Sequence, residues 1–458
     1  MSVLLLTADD MNWSTPGCFG GTVPGVTPNI DRLAAEGMRF MRGHVTCAVC
    51  QPSREALMTG RYPHRSGGMG FEPIRMDVPT LQESLRAAGW LNGILGKVEH
   101  LKPDAKFPWD FKREFGELGC GRDPQKYAEA ARAFFEAAEA ADKPFFLMAN
   151  SHDPHRPFDG SRSEAQSLAK DWGKFGVTRD TLPRPSRVYT PEEVPVPGFL
   201  PDLPDVRAEL AQYYSSCRRS DDTVGAVLGA LAASGQAENT LVMFLSDNGM
   251  AFPFAKANCY LHGTRTPWIV RWPGRVAPDT VNAEDFISGI DFMPTVLDAL
   301  DLPAPDGMDG ASSLPLLRGE GMAGRDRVFT QFHATSAGEQ FPMRCVQDGR
   351  YGYIFNVWVD GVRRYRSASM GSTMTFRAME ASTLPEVVAR TRFCKERCPE
   401  ELYDFATDPD ALKNLADDPA HACELDRMRG ELLAWMEKTG DPYLPEFLKT
   451  TGKQAKGG

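Results

Sequence analysis

Four residues with complementary chemistry are packed into one short stretch, at Cys50, Pro52, Ser53 and Arg54. Pro52 suits the first turn of a helix, because its ring fixes φ and its missing N–H would have no intrahelical partner there. A helix that begins at Pro52 or Ser53 would point free N–H groups and its positive dipole end toward Cys50. Arg54 adds a planar, bidentate positive group at the same place. The stretch therefore predicts a precursor of a nucleophile in an anion-binding site, with a buried structural cysteine before an ordinary helix as the alternative.

Two adjacent carboxylates, Asp9 and Asp10, directly follow the apolar run 3–8. A continuous apolar run of this length predicts a strand that is buried on both faces of a sheet. Open α/β sheets bind ligands at the carboxyl ends of such strands. Because adjacent carboxylates repel unless a cation lies between them, and because hard oxygen ligands favour calcium or magnesium over zinc, the pair predicts a cation site. A helix cap or a solvated turn is the alternative.

Two further patterns could take part in chemistry. Lys97 and His100 follow the predicted strand 90–95, where they could serve as an anion ligand and a proton carrier, although such residues also occur on ordinary surfaces. Cys47 and Cys50 form a Cys-x-x-Cys pattern, which could be a redox pair or half of a zinc site. No second pair with suitable partners follows, which argues against zinc.

The stretch Cys50-Gln51-Pro52-Ser53-Arg54, followed by Leu57 and Thr59-Gly60-Arg61, resembles the motif of the type I sulfatases. In this family, which belongs to the alkaline-phosphatase-like superfamily, the cysteine is oxidised after translation to formylglycine. The resemblance recurs in order along nearly the whole chain. Three stretches are similar to the sulfamidase branch of the family: His152-Asp153-Pro154-His155-Arg156, Ser246-Asp247-Asn248-Gly249 with Phe252-Pro253, and Pro342-Met343-Arg344.

The resemblance implies a complete set of site residues. It implies one divalent cation, with calcium expected and magnesium or manganese as alternatives, held by Asp9, Asp10, Cys50, Asp247 and Asn248. The residues implied in catalysis are Cys50, Arg54, Lys97, His100, His155 and Lys256. The residues expected to contact substrate are Arg54, Lys97, His155, Lys256 and His262. This chain departs from the usual Lys-x-His of the family, because His100 lies one residue later, and His152 is expected to support its loop.

The implied activity is hydrolysis of a sulfate monoester or a sulfamate on a sulfated sugar or small metabolite. It requires formylglycine at Cys50, and therefore a formylglycine-generating enzyme as a maturation partner. One alternative is a phosphonate or phosphate monoester hydrolase of the same superfamily. The others are a catalytically inactive relative that binds sulfated glycans and a cation-binding structural protein.

Composition restricts the partners. The chain has 458 residues and a formal net charge of −10, which argues against a nucleic-acid-binding surface. No apolar stretch approaches the length of a membrane span, and residues 2–10 predict a strand and not a secretory signal. The ten cysteines suit a reduced compartment. We therefore expect a cytoplasmic protein without a membrane partner, and a homo-oligomer remains open.

The residues named above need a scaffold, and the sequence predicts an α/β one. Predicted strands at 3–8, 40–45, 90–95, 145–149, 240–245 and 266–272 are separated by predicted helices at 81–88, 127–141 and 208–233. This order predicts a large central, mostly parallel sheet flanked by helices on both faces. Short β-like runs after residue 326 and a helix at 422–439 predict a smaller α+β domain with an antiparallel sheet. We expect a catalytic domain at 1–325, a C-terminal domain at 326–458, and a specificity-setting rim at 156–205.

Overall fold

Two sheets of unequal size organise the protein, in a computed structural model that describes residues 1–371 and 373–454. The larger sheet has eight strands in the order β4-β3-β5-β1-β6-β7-β2-β8. Of these, β7 alone runs against its neighbours, because it pairs antiparallel with both β6 and β2 while the other pairings are parallel. The strands are β1 (Ser2–Ala8), β2 (Met38–His44), β3 (Leu91–Leu95), β4 (Phe111–Arg113), β5 (Phe145–Asn150), β6 (Thr240–Ser246), β7 (Trp268–Arg271) and β8 (Thr280–Ser288).

Helices cover both faces of this sheet, as the apolar run of β1 requires. Leu4 and Leu6 of β1 contribute to one hydrophobic core, whereas Val3 and Leu5 contribute to another. Residues of α1, α5 and α7 belong to the first core, and residues of α2, α4, α9 and α10 belong to the second. The helices are α1 (Pro28–Ala35), α2 (Cys50–Thr59), α3 (Pro63–Ser66), α4 (Leu81–Ala87), α5 (Pro124–Ala140), α6 (Arg162–Lys170), α7 (Pro204–Ala233), α8 (Leu261–Thr264), α9 (Phe292–Ala299), α10 (Leu314–Leu317), α11 (Met374–Ala381), α12 (Pro385–Glu396), α13 (Ala422–Thr439) and α14 (Leu444–Thr451).

The smaller sheet is antiparallel, in the order β12-β11-β10-β9. Its strands are β9 (Arg327–Ala334), β10 (Gln340–Asp348), β11 (Tyr351–Asn356) and β12 (Glu400–Asp404). Tyr353 and Phe355 share a core with α13, while Ile354 belongs to the first core of the larger sheet. Because successive side chains of a strand point to opposite faces, the smaller sheet is held between α13 and the body of the protein.

The predicted fold class is confirmed by this architecture. One local expectation is wrong, because α2 begins at Cys50 and not at Pro52 or Ser53. Pro52 still lies in the first turn, where its missing N–H costs no hydrogen bond. The stretch 156–205 contains α6, and the predicted division at residue 325 stays a prediction. Among the described helices, none is both long and apolar enough to cross a membrane.

Candidate active site

The carboxyl ends of three neighbouring parallel strands assemble the site. Ala8 of β1 pairs with Ser246 of β6, and Thr7 of β1 pairs with Asn150 of β5. Strands in this register end at the same edge of the sheet, so Asp9 and Asp247 emerge side by side. Asp10 then adopts the left-handed conformation, with φ of 72°, which is uncommon for a residue with a side chain and is found preferentially at functional sites.

Three of the predicted metal ligands form a buried carboxylate cluster. Asp9, Asp10 and Asp247 are 0% exposed, and one carboxylate oxygen from each lies within 4.8 Å of the others. Asn248 donates from Nδ2 to Asp10 Oδ1 at 2.7 Å. Burial, with the neighbouring Asp9 and Asp247 charges, raises the pKa of Asp10 to about 7 although Lys256 opposes the shift.

The donor set fits a hard divalent cation. Asp10 Oδ2 and Asn248 Oδ1 are buried and have no hydrogen-bond partner among the described residues. Buried oxygens normally find partners, and two unpartnered ones, one in the carboxylate cluster and one beside it, are what a cation that prefers oxygen ligands would use. The identity of the cation stays a prediction.

Cys50 lies in the first turn of α2 and faces this cluster. Its Sγ is 3.2 Å from Lys256 Nζ and 3.9 Å from Asp9 Oδ1. Burial raises the pKa of the thiol to about 12, although Lys256 opposes the shift. A thiol with such a pKa is protonated at neutral pH, so it is a poor nucleophile in its unmodified form.

Three cations offset the three carboxylates. The Arg54 guanidinium is 0% exposed and donates to Asp247 Oδ2 at 2.7 Å and to Asp9 Oδ2 at 3.4 Å. Lys97 forms an ion pair with Asp9, and Lys256 Nζ lies 2.5 Å from Asp10 Oδ1. Burial alone would raise the pKa of Asp9, but the nearby positive charges, above all Lys97, hold it well below its ordinary value.

Two of the predicted histidines, His155 and His100, belong to the set implied in catalysis. Ligand atoms of His155, Cys50 and Asp9 lie within 4.8 Å of one another. His155 Nδ1 is 2.5 Å from the Arg156 carbonyl oxygen, so Nδ1 carries the proton and Nε2 is the free position. His100 packs edge-on against Phe71, and burial together with Lys97 lowers its pKa.

His152 and His262 have other surroundings. His152 packs against Phe115, with ring centroids 4.9 Å apart, consistent with a role in supporting its loop. His262 contacts Asn12 through Nδ1, and its Nε2 lies 2.9 Å from Asp410 Oδ1, while its ring is 4.3 Å from that of Phe199. The role of His262 in substrate binding stays a prediction.

Sequence reasoning missed several residues that position the site. Asn150 Oδ1 accepts from Arg54 Nη1 at 2.6 Å and so orients the guanidinium. Asp153 receives hydrogen bonds from Arg122 Nε at 3.1 Å and Arg219 Nε at 2.6 Å, and its backbone carbonyl accepts from Asp9 N. The position of Asn150 at the end of a buried strand was a usable signal, whereas nothing local marks Arg219 in the middle of α7.

Comparisons with known proteins agree with this geometry. The sulfatase family model matches residues 2–302, and the model of the C-terminal region of N-sulphoglucosamine sulphohydrolase matches residues 251–360. Human N-sulphoglucosamine sulphohydrolase is 31% identical, over 97% of this chain and 91% of its own length. Human arylsulfatase A is 29% identical over 76% of this chain and 74% of its own length.

Solved structures show the same fold at lower sequence identity. A protein in complex with its substrate D-glucosamine-2-N,6-O-disulfate has a TM-score of 0.69 and 19% identity, covering 96% of this chain and 98% of its own. The phosphonate monoester hydrolase of Agrobacterium radiobacter also has a TM-score of 0.69 and 19% identity, with 96% of each chain covered. These two likenesses concern the fold alone. The family match over residues 2–302, together with a relative 31% identical along nearly the full length, shows that the chain belongs to the sulfatase family and is a sulfuric ester hydrolase.

Proposed function

We propose that this protein hydrolyses a sulfate monoester or sulfamate of a sulfated saccharide or small metabolite, through a formylglycine derived from Cys50. The observation that carries the proposal is the position of Cys50 Sγ, between Lys256 Nζ at 3.2 Å and the Asp9 carboxylate at 3.9 Å. A buried, protonated thiol at the centre of so many charged groups has no evident use as a thiol. Its conversion to an aldehyde, which hydrates to two hydroxyl groups, gives that central position a nucleophile.

The residues around this position have separable tasks. One hydroxyl of the hydrated aldehyde gives up its proton and attacks sulfur, and the bond from sulfur to the leaving oxygen or nitrogen breaks. Arg54, Lys97 and Lys256 neutralise the charge on the sulfuryl oxygens, which is the main requirement of such a displacement. A divalent cation held by Asp9, Asp10, Asp247 and Asn248 would supply positive charge and lower the pKa of a bound hydroxyl.

Two histidines are proposed to move protons. His155 takes up the proton of the attacking hydroxyl at Nε2 and delivers it to the departing alcohol or amine, since its ring lies beside Cys50 and Asp9. His100 takes the proton from the second hydroxyl, so that the aldehyde re-forms and sulfate leaves. Burial lowers the pKa of both rings, and a bound anionic sulfate opposes that shift by adding negative charge.

The first test is the mass of the tryptic peptide 43–54, from protein produced with and without a formylglycine-generating enzyme. Conversion of the thiol to the aldehyde removes about 18 Da from Cys50. Cys47 lies in the same peptide and is the internal control, because fragmentation must assign the loss to Cys50 and leave Cys47 unchanged. We expect activity on an aryl sulfate to rise with the converted fraction.

Two results would contradict the proposal. An active preparation in which Cys50 is entirely a thiol would exclude the formylglycine mechanism. Higher kcat/KM on an aryl phosphonate than on the matching aryl sulfate would favour the alternative function, a phosphonate monoester hydrolase, which a protein of similar fold performs.

A further inference from the structure

Arg156, directly after His155, is a partly exposed cation that the described protein contacts leave without a carboxylate partner. Its Nη2 donates to the backbone carbonyl oxygen of Ala368 at 2.6 Å, and that is the one hydrogen bond of its side chain among the described residues. No carboxylate in the described part of the chain lies within ion-pair distance of it. Its partial burial lowers its pKa, and the Glu209 and Asp10 charges, which oppose this shift, act from beyond ion-pair distance.

The five arginines that are buried in the described part of the chain are all paired, unlike Arg156. Arg54, Arg122, Arg219, Arg344 and Arg397 each lie within 4 Å of a carboxylate oxygen. Pairing offsets the cost of removing a guanidinium from water, whereas Arg156 keeps part of its side chain exposed to solvent and has no such partner. Arg156 therefore has unused capacity for an anion, in a planar group that suits a carboxylate or a sulfate.

Arg156 contacts the segment 365–369, which follows β11 of the smaller sheet and also contacts the active-site region. Tyr365 Oη donates to the Ala257 carbonyl oxygen at 2.5 Å, next to Lys256, while Ala368 accepts from Arg156. The segment thus lies against the residue that follows His155 and the residue that follows Lys256. This segment, residues 365–369, therefore packs beside two proposed catalytic residues, and it is called the wall below.

Unpartnered hydroxyl groups lie on and beside this segment. Ser369 is 1% exposed, and its Oγ has no hydrogen-bond partner among the described residues. Thr375 Oγ1 is also buried without a partner, and the backbone N–H of Thr375 donates to Glu209 Oε2 at 2.7 Å. Buried hydroxyl groups usually find partners, so this wall carries polar groups that protein contacts leave unused.

We propose that Arg156 is a specificity-determining residue that binds a second anionic group of the substrate, a carboxylate or an additional sulfate, beyond the sulfate that is hydrolysed. The inference rests on the proposed sulfatase function and narrows its substrates to saccharides that carry at least two negative charges. Arg156 is placed for this because it follows the proposed proton donor His155, on the side from which the leaving group departs.

The test compares three substrates with the formylglycine-containing enzyme. They are an N-sulfated glucosamine, the same sugar with an added 6-O-sulfate, and an N-sulfated disaccharide with a uronate carboxylate. For the wild type, we expect kcat/KM for N-sulfate release to be about tenfold higher or more when the second anion is present, as one charge-assisted contact predicts. The second and third substrates separate a sulfate from a carboxylate as the preferred group.

Arg156→Gln is the main variant, and we expect that preference to fall by about tenfold, chiefly through KM. Arg156→Lys keeps the charge without the planar fork and should lose less of the preference, even if the glutamine variant does not fold. Arg42→Gln is the matched control, since Arg42 also donates to a backbone carbonyl oxygen, that of Glu284 at 2.8 Å, and lies on β2. It should keep the wild-type preference.

Two outcomes would overturn the inference. If the wild-type enzyme has the same kcat/KM with and without a second anionic group on the substrate, Arg156 does not bind that group. Equal loss on all three substrates in both Arg156 variants would mean that Arg156 only supports the wall through Ala368. By contrast, a converted wild-type enzyme that hydrolyses no sulfate at all would contradict the proposed function itself.

Discussion

At the scale of single residues, the site is a balance of buried charges. Asp9, Asp10 and Asp247 carry the negative groups, and their burial is tolerable because Arg54, Lys97 and Lys256 lie among them. Arg54 differs from the two lysines because it binds four side chains at once, those of Thr7, Asp9, Asn150 and Asp247. Its planar fork, and not its charge alone, is what the site requires.

We expect Arg54→Lys to lower kcat/KM on an aryl sulfate by about 100-fold or more, because a point charge cannot replace the fork beside the sulfuryl oxygens. The variant should also lose about 1–3 kcal/mol of unfolding free energy, measured by urea denaturation, since Asp247 and Asn150 lose buried hydrogen bonds.

The control for this change is Arg86→Lys. Arg86 pairs with Asp110 on the surface, with side chains that are 46% and 29% exposed. Surface pairs contribute little, so its unfolding free energy should stay within about 0.5 kcal/mol of the wild type. If the two variants behaved alike, Arg54 would not have the role assigned to it.

At the scale of elements, the strand ends bring the site residues together, and the turns that follow these strands orient their side chains. The turn after β6 is held by Gly249, which follows Asn248. A side-chain Cβ at Gly249 would lie 1.7 Å from the His262 carbonyl oxygen, which no local adjustment of a side chain can relieve, because the obstacle is backbone. The close approach of these two segments therefore depends on glycine.

Gly249→Ala should displace Asn248 and destabilise the turn. We expect a loss of about 1–3 kcal/mol in unfolding free energy and a fall of about 10- to 100-fold in kcat/KM. Gly229→Ala is the matched control, because Gly229 is an exposed position of α7 where a Cβ meets nothing within 4 Å. That change should raise stability by about 0.5–1 kcal/mol through helix propensity, and leave activity at the wild-type level. A Gly249→Ala enzyme with wild-type activity would show that the turn tolerates displacement.

At the scale of the whole molecule, the two sheets share one core. Side chains of β1 and β6, such as Leu6 and Val242, belong to the same buried cluster as Ile354 and Tyr403 of the smaller sheet. Arg397 adds polar contacts across this junction, donating to Asn258 Oδ1 at 2.8 Å. Because breaking the junction would expose apolar surface on both sides, we expect the two sheets to lose their structure together.

Hydrogen exchange measured by mass spectrometry at rising urea concentrations tests this expectation. Peptides from β1 and β10 should lose protection at the same concentration. Loss of protection in β10 well before β1 would instead show that the smaller sheet is an independent folding unit, as the predicted division at residue 325 implies.

The local sequence by itself determined much of this protein. Apolar runs predicted β1, β5 and β6, and Asp9, Asp10, Asp247 and Asn248 follow strands directly, so their place at one edge of the sheet was predictable. Local periodicity also predicted α13 at its observed bounds. Such features depend on neighbours in sequence, whose spacing sets both the element and the face that it buries.

Only the tertiary structure decided which distant residues meet. The pairing of His262 with Asp410, the contact of Arg156 with Ala368, and the orientation of Arg54 by Asn150 join residues 96 or more positions apart. No local pattern encodes these contacts, because they depend on how the larger and smaller sheets pack together. The sequence determined the chemical groups and the strands that carry them, whereas packing decided which charges are paired and which, like Arg156, have no carboxylate partner among the described residues.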